Sequence, residues 1–243
     1  MKSISGPIVL FTCEHGGNRI PKQHAARFVA HQELLQTHRG WDPGTLQTAN
    51  YFHRQIPSQL FASQTSRLLV DLNRSETNPA LFSKLVPPPS KSQRRELLET
   101  YYRPWRQDVV DWISSQTERR QRVRHLSFHS FTPELHGEIR TAEIGLLYDP
   151  GRAREREFCD IWRKAIRETF PEFRVRMNYP YRGISDGHTT ALRKQFTPEQ
   201  YAGIELEVNQ QLFQRPSRLV KQLIAGLYQS WDQAMQHAAS NLE

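Results

Sequence analysis

The chain alternates between two hydrophobic periodicities, and that alternation narrows its fold more than any other feature. Short apolar runs rich in β-branched residues recur at positions 7–13, 67–72, 125–130, 144–148, 173–177 and 204–208. Runs of this length, bounded by turn-forming residues, read as buried strands. Between them the apolar residues recur every three or four positions. Residues 152–170 place Phe158, Ile161, Trp162, Ala165, Ile166 and Phe170 on one stripe, and residues 216–238 do the same with Leu219, Val220, Leu223, Ile224, Leu227, Trp231 and Met235. Such stripes belong to helices that cover a sheet. Residues 90–121 are also helical in pattern, with a kink or restart expected at Pro104, and residues 44–56 form a further short helix. The expected fold is α/β: a three-layer sandwich with a mixed, mostly parallel sheet and helices on both faces, spanning residues 1–243 as one domain.

Composition removes several alternatives. The 243 residues are 37% hydrophobic and 24% charged, as in a folded globular chain. No apolar run approaches the roughly 20 residues of a membrane helix, so no membrane partner is expected. No apolar stretch with a small-residue cleavage site follows Lys2, so no secretory leader is expected. Two cysteines, Cys13 and Cys159, suit a reduced cytoplasm better than a disulfide framework. The net charge of +8 fits an anionic ligand or a solvated basic surface. The Arg-rich run at 118–124 lacks interleaved aromatics and reads as a solvated helix end, so nucleic acid is not an expected partner. Pro87, Pro88 and Pro89 cannot continue a helix or a central strand and mark a surface loop.

In α/β sheets ligands gather beyond the carboxyl ends of the strands, and the polar residues worth noting fall there. The first run leads into Glu14-His15-Gly16-Gly17-Asn18, the second into Asp71-Leu72-Asn73-Arg74, and the third ends at His129-Ser130. The last carries Glu205-Leu206-Glu207. Two histidines, several carboxylates and an arginine converging on one edge make the outline of a metal-dependent hydrolytic site. A catalytic zinc takes three protein ligands, commonly two histidines and a carboxylate. His15 and His129 supply the first two. Asp42 is the preferred third, with Glu14 and Asn18 as alternatives and a helix N-cap as Asp42's other use. Arg67, Asn73 and Arg74 suit recognition of a carboxylate. Asp71 could accept a bond from a ligand histidine. Glu205 and Glu207 share a strand face, so either could act as general base beside an activated water.

These pieces resemble the N-formylglutamate amidohydrolase family, a relative of zinc carboxypeptidases and aspartoacylases. The resemblance runs through residues 14–21, 40–44, 66–74, 129–131, 144–148, 178–183 and 203–210, in order along nearly the whole chain. It implies one zinc per chain at His15 and His129, with Glu207 as general base and Asn73 and Arg74 binding the substrate carboxylate. Arg67 and Arg182 would be further carboxylate or oxyanion contacts. The implied reaction is hydrolysis of the amide of an N-acylated acidic amino acid, a small anionic substrate. The chain departs from the carboxypeptidase pattern at Asn18, where a glutamate follows the first histidine by three positions in those enzymes. Two rival readings are another metallohydrolase acting on peptides or cell-wall fragments, and a binding protein that keeps the fold without the chemistry.

Overall fold

The structure is a computed structural model, and it describes residues 6–240. The residues around Lys2, on which the expectation of no leader rests, lie outside the described residues.

Among the described residues eight strands form two sheets. They are β1 (Ile8–Cys13), β2 (Ser58–Ala62), β3 (Val123–Phe131), β4 (Glu134–Leu135), β5 (Glu138–Ile139), β6 (Ile144–Leu147), β7 (Val175–Met177) and β8 (Tyr201–Asn209). The main sheet has the order β2-β1-β3-β8-β6-β7, and β4 and β5 make a small separate hairpin. Strands β2, β1, β3 and β8 run parallel, β6 is antiparallel to β8, and β7 is parallel to β6. The helices are α1 (Gln32–Leu35), α2 (Thr45–Gln55), α3 (Lys91–Leu97), α4 (Arg103–Glu118), α5 (Ala153–Thr169), α6 (His188–Arg193) and α7 (Ser217–Ser240).

Strand alternation divides the sheet into two unlike faces. Val9 and Phe11 of β1, Leu126 and Phe128 of β3, and Ile204, Leu206 and Val208 of β8 pack into one apolar core with α2, α5 and α7. Trp231 of α7 is at its centre, edge-on to Trp162 at 4.9 Å and to Phe158 at 5.0 Å. Large fully buried side chains of this kind contribute about 1.5–3 kcal/mol each. On the other face Leu10, Val123 and Tyr201 pack with Val109 and Ile113 of α4 and Leu192 of α6. The expected three layers are thus present. The same face of β3 and β8 also carries the polar His125, Ser127, His129, Glu205, Glu207 and Asn209.

Two strand assignments differ from expectation. Residues 67–72 are a turn, although Leu68, Leu69, Val70 and Leu72 are all buried. They fill satellite cores under the loops, with Phe28, Leu35 and Leu97 in one and Leu81 and Tyr102 in another. An apolar run reports burial, not ladder pairing. Strand β2 leaves no apolar run for the converse reason, being a half-exposed edge strand that begins Ser58-Gln59. Pro104 does mark a restart: a wide helical turn at Leu98–Tyr102 separates α3 from α4, whose first turn holds the proline. Among the described residues no helix is long and apolar enough to cross a membrane.

Candidate active site

The polar face of the sheet builds the site. His125, Ser127 and His129 alternate with Leu126 and Phe128 along β3, so all three face away from the apolar core. Glu205 and Glu207 do the same on β8, where the register sets Ser127 beside Glu205 and His129 beside Glu207. Strand β1 ends at Cys13, and the next two residues, Glu14 and His15, are both buried. The glycines that follow His15 are required by close approach. A Cβ on Gly16 would lie 2.9 Å from the Ser63 carbonyl, and one on Gly17 2.7 Å from that of Gln64. The chain can therefore tuck against the segment after β2 only without side chains there. The His15 carbonyl accepts the Asp42 N–H at 2.9 Å, which ties the loop before α2 to the end of β1.

That tie brings Asp42 between the histidines. Asp42 Oδ2 lies 3.3 Å from His15 Nδ1 and 3.1 Å from His129 Nδ1. One ligand atom from each of His15, Asp42 and His129 falls within 4.8 Å of the others, and all three residues are buried. Asp42 is not a helix cap; Gly44 holds that position before α2. The other nitrogen of His15, Nε2, donates to Asp71 Oδ1 at 2.7 Å. Two histidines and a carboxylate, with a second carboxylate orienting one histidine, make a donor set suited to zinc.

The electrostatics fit a cation. Burial works against charge on Asp42 and Asp71, yet His15 and Arg67 hold both carboxyls well below the usual range, joined by His129 at Asp42 and by Arg74 at Asp71. Burial also opposes a charge on His129, but Asp42 and Glu14 outweigh it and raise the imidazole to about 10. Glu207 goes the other way: burial, helped by the charges of Asp42 and Glu205, lifts its carboxyl to about 8. Its Oε2 is buried and has no hydrogen-bond partner. A buried acceptor left alone beside a metal-type donor set is a mark of a missing ligand.

A cavity of about 190 Å³ opens in front of these groups, and His15, Asp42, Arg67, Asn73, Arg74, His129, Arg182 and Glu207 all line it. The preferred ligands, the general base and the four substrate-binding residues expected from the sequence thus reach one hollow, though not in equivalent ways. Arg67 is tied to Asp71 at 2.7 Å and to Asp42 at 3.4 Å, so it braces the carboxylates as well as facing the cavity. The Arg74 side chain is more open, donating to the Asp186 carbonyl at 3.0 Å and sitting 3.9 Å from Asp71. Asn73 accepts the His188 N–H through Oδ1 at 2.7 Å. Arg182 is exposed at the mouth.

The two alternative ligands stand elsewhere. Asn18 turns away and donates to the Leu35 carbonyl and to Gln36, both at 3.1 Å. Glu14 lies beneath the site, engaged by Thr12, Ser127 and His188. Cys13 packs in the apolar core and bonds Thr45, on the far side from the cavity. Ser127, His188, Tyr181 and Asp186 were not anticipated. Ser127 was within reach, since it lies two residues before His129 on the same strand face. The others are in loops or a short helix, where periodicity carries no signal.

Sequence and fold comparisons place the chain among known proteins. Residues 8–214 match the family model of N-formylglutamate amidohydrolase. Among solved structures, the gene product Atu2144 of Agrobacterium tumefaciens shares 25% identity at a TM-score of 0.80, covering 95% of this chain and 91% of that one. The N-formylglutamate amidohydrolase of Ralstonia eutropha JMP134 has the same fold at 17% identity and a TM-score of 0.73, covering 96% of each chain. Among curated proteins there is no match. With a family match over most of its length, the chain belongs to the N-formylglutamate amidohydrolase family.

Proposed function

We propose that this amidohydrolase is zinc-dependent and cleaves the amide bond of an N-acylated acidic amino acid such as N-formylglutamate. The observation that carries the reading is the lone buried oxygen of Glu207 beside the His15–Asp42–His129 cluster, at the head of an arginine-lined cavity. His15, Asp42 and His129 would hold the ion. When bound, zinc lowers the pKa of water to about 7, polarises the acyl carbonyl, and draws neighbouring carboxyls toward their ionised form.

The rest falls to side chains. Glu207 takes the proton of the attacking water and later hands it to the leaving nitrogen, the two halves of general acid–base catalysis by one carboxyl. Asp71 holds His15 in the tautomer whose Nδ1 is free, by accepting from Nε2. Arg74 and Asn73 receive the substrate's carboxylate, and Arg182 adds positive charge at the mouth. A neighbouring pocket that shares Asp42, Arg67 and Arg74 with the cavity is also lined by Arg39 and Lys84, and this added positive charge favours an anion. The substrate is small and anionic, and neither nucleic acid nor a membrane surface takes part. Two free, buried thiols support a reducing, cytoplasmic setting.

The test is amine release from a panel of N-formyl and N-acetyl amino acids by zinc-loaded protein. N-acylated glutamate or aspartate should turn over at least 10-fold faster, as kcat/KM, than the leucine analogue. Cleavage of peptides or cell-wall fragments with no release from N-acyl acidic amino acids would overturn the substrate assignment.

A further inference from the structure

We infer that Ser127 and Glu14 are positioning residues that hold His129 in the one tautomer able to bind a metal. The inference rests on the reading of His129 as a ligand. A neutral imidazole carries one proton, and the nitrogen that lacks it does the ligating. His129 Nδ1 faces Asp42, so Nε2 must be the protonated nitrogen and must find an acceptor in a buried site.

Ser127 Oγ is that acceptor. It lies 2.9 Å from His129 Nε2 and 2.8 Å from Glu14 Oε2. A hydroxyl has one proton, and a carboxylate only accepts, so Ser127 donates to Glu14 and turns its lone pairs to His129. Glu14 cannot do this alone, because its Oε2 is 3.7 Å from Nε2, beyond hydrogen-bond reach. Asn73 Nδ2, 3.5 Å from the same nitrogen, is an amide donor and cannot take the proton.

Glu14 is itself locked from the other side. Its Oε1 receives Thr12 Oγ1 at 2.9 Å and His188 Nδ1 at 3.2 Å. Thr12 in turn lies 2.7 Å from His125 Nε2, and His125 Nδ1 lies 2.6 Å from the Tyr201 hydroxyl. All of these groups are buried. The bonds run in one sense from Tyr201 through His125 and Thr12 to Glu14, while a second arm runs from His129 through Ser127 to the same carboxylate. The two ligand histidines are thus oriented by different devices, His15 directly by Asp71 and His129 through a hydroxyl.

The experiment measures zinc affinity by competition with a chromophoric chelator, together with the visible spectrum of the cobalt-substituted protein. Ser127→Ala should loosen zinc by about 10–100-fold and alter the cobalt bands, and Ser127→Thr, which keeps the hydroxyl, should recover most of the loss. Glu14→Gln should weaken zinc as well, because an amide offers a donor where three donors already point. Ser230→Ala serves as control, since it removes a buried hydroxyl that bonds Trp162 far from the site; it should lower the melting temperature and leave zinc affinity unchanged. A folded Ser127→Ala protein that binds zinc within about 2-fold of wild type would overturn the inference while leaving the metal site standing. A wild-type protein that binds no zinc would overturn both.

Discussion

Glu207 and His129 are register partners across the ladder between β3 and β8, so their side chains stand together on the polar face of the sheet. The pairing puts a carboxyl without a hydrogen-bond partner beside a metal-type cluster, yet keeps it out of that cluster. Replacing it should therefore separate binding from chemistry. Glu207→Gln is expected to hold about one zinc per chain and lose about 10²–10⁴-fold in kcat, the range of general acid–base catalysis. Near-normal turnover in that variant would contradict the role.

Arg67 and Arg74 both line the cavity but have different partners, and kinetics should tell them apart. Arg74 bonds one backbone carbonyl and is over a third exposed. Arg74→Ala should raise KM for an N-acyl acidic amino acid about 10-fold or more, with little change in zinc content. Arg67 bridges Asp42 and Asp71, so Arg67→Ala should weaken zinc retention as well as catalysis. Identical profiles for the two variants, read by steady-state kinetics beside metal analysis, would remove the distinction.

His125 gives a prediction about acid stability. Burial pushes its imidazole down to about 3, against the pull of Glu14, whereas in the unfolded chain it titrates near 6.5. Between these values the unfolded state binds the extra proton. The stabilisation is complete above about pH 6.5 and is lost as pH falls toward 3, at up to about 1.4 kcal/mol per pH unit. His125→Asn cannot titrate. Urea midpoints should show it less stable than wild type at pH 7, by about 1–3 kcal/mol for the disturbed buried bonds, with a shallower decline between pH 6.5 and 4. Parallel declines would show that His125 does not carry the effect.

Much of this architecture is legible in the sequence because burial on a strand or a helix leaves a period. β1, β3, β6 and β8, and the stripes of α5 and α7, stand out for that reason. Edge strand β2 is half-exposed and leaves no such trace, while residues 67–72 are buried without being a strand. The site was legible where it sits on strand ends, as with His129 and Glu207. Asp42 could be nominated from its residue type, but only the bond from its N–H to the His15 carbonyl shows how a residue 27 positions away reaches the histidine. Asn18, at the spacing expected of a ligand, is drawn off by the Leu35 carbonyl and Gln36. The relay beneath His129 was not legible, since it joins residues more than a hundred positions apart through Thr12, Ser127 and Glu14.

The central claim is that His15, Asp42 and His129 hold a catalytic zinc. The most direct measurement is elemental analysis of purified wild-type protein and His129→Ala after supplying zinc and removing the excess. The account predicts about one zinc per chain in the wild type and loss of most of it in the variant. Equal zinc in both proteins, or none in the wild type, would contradict it.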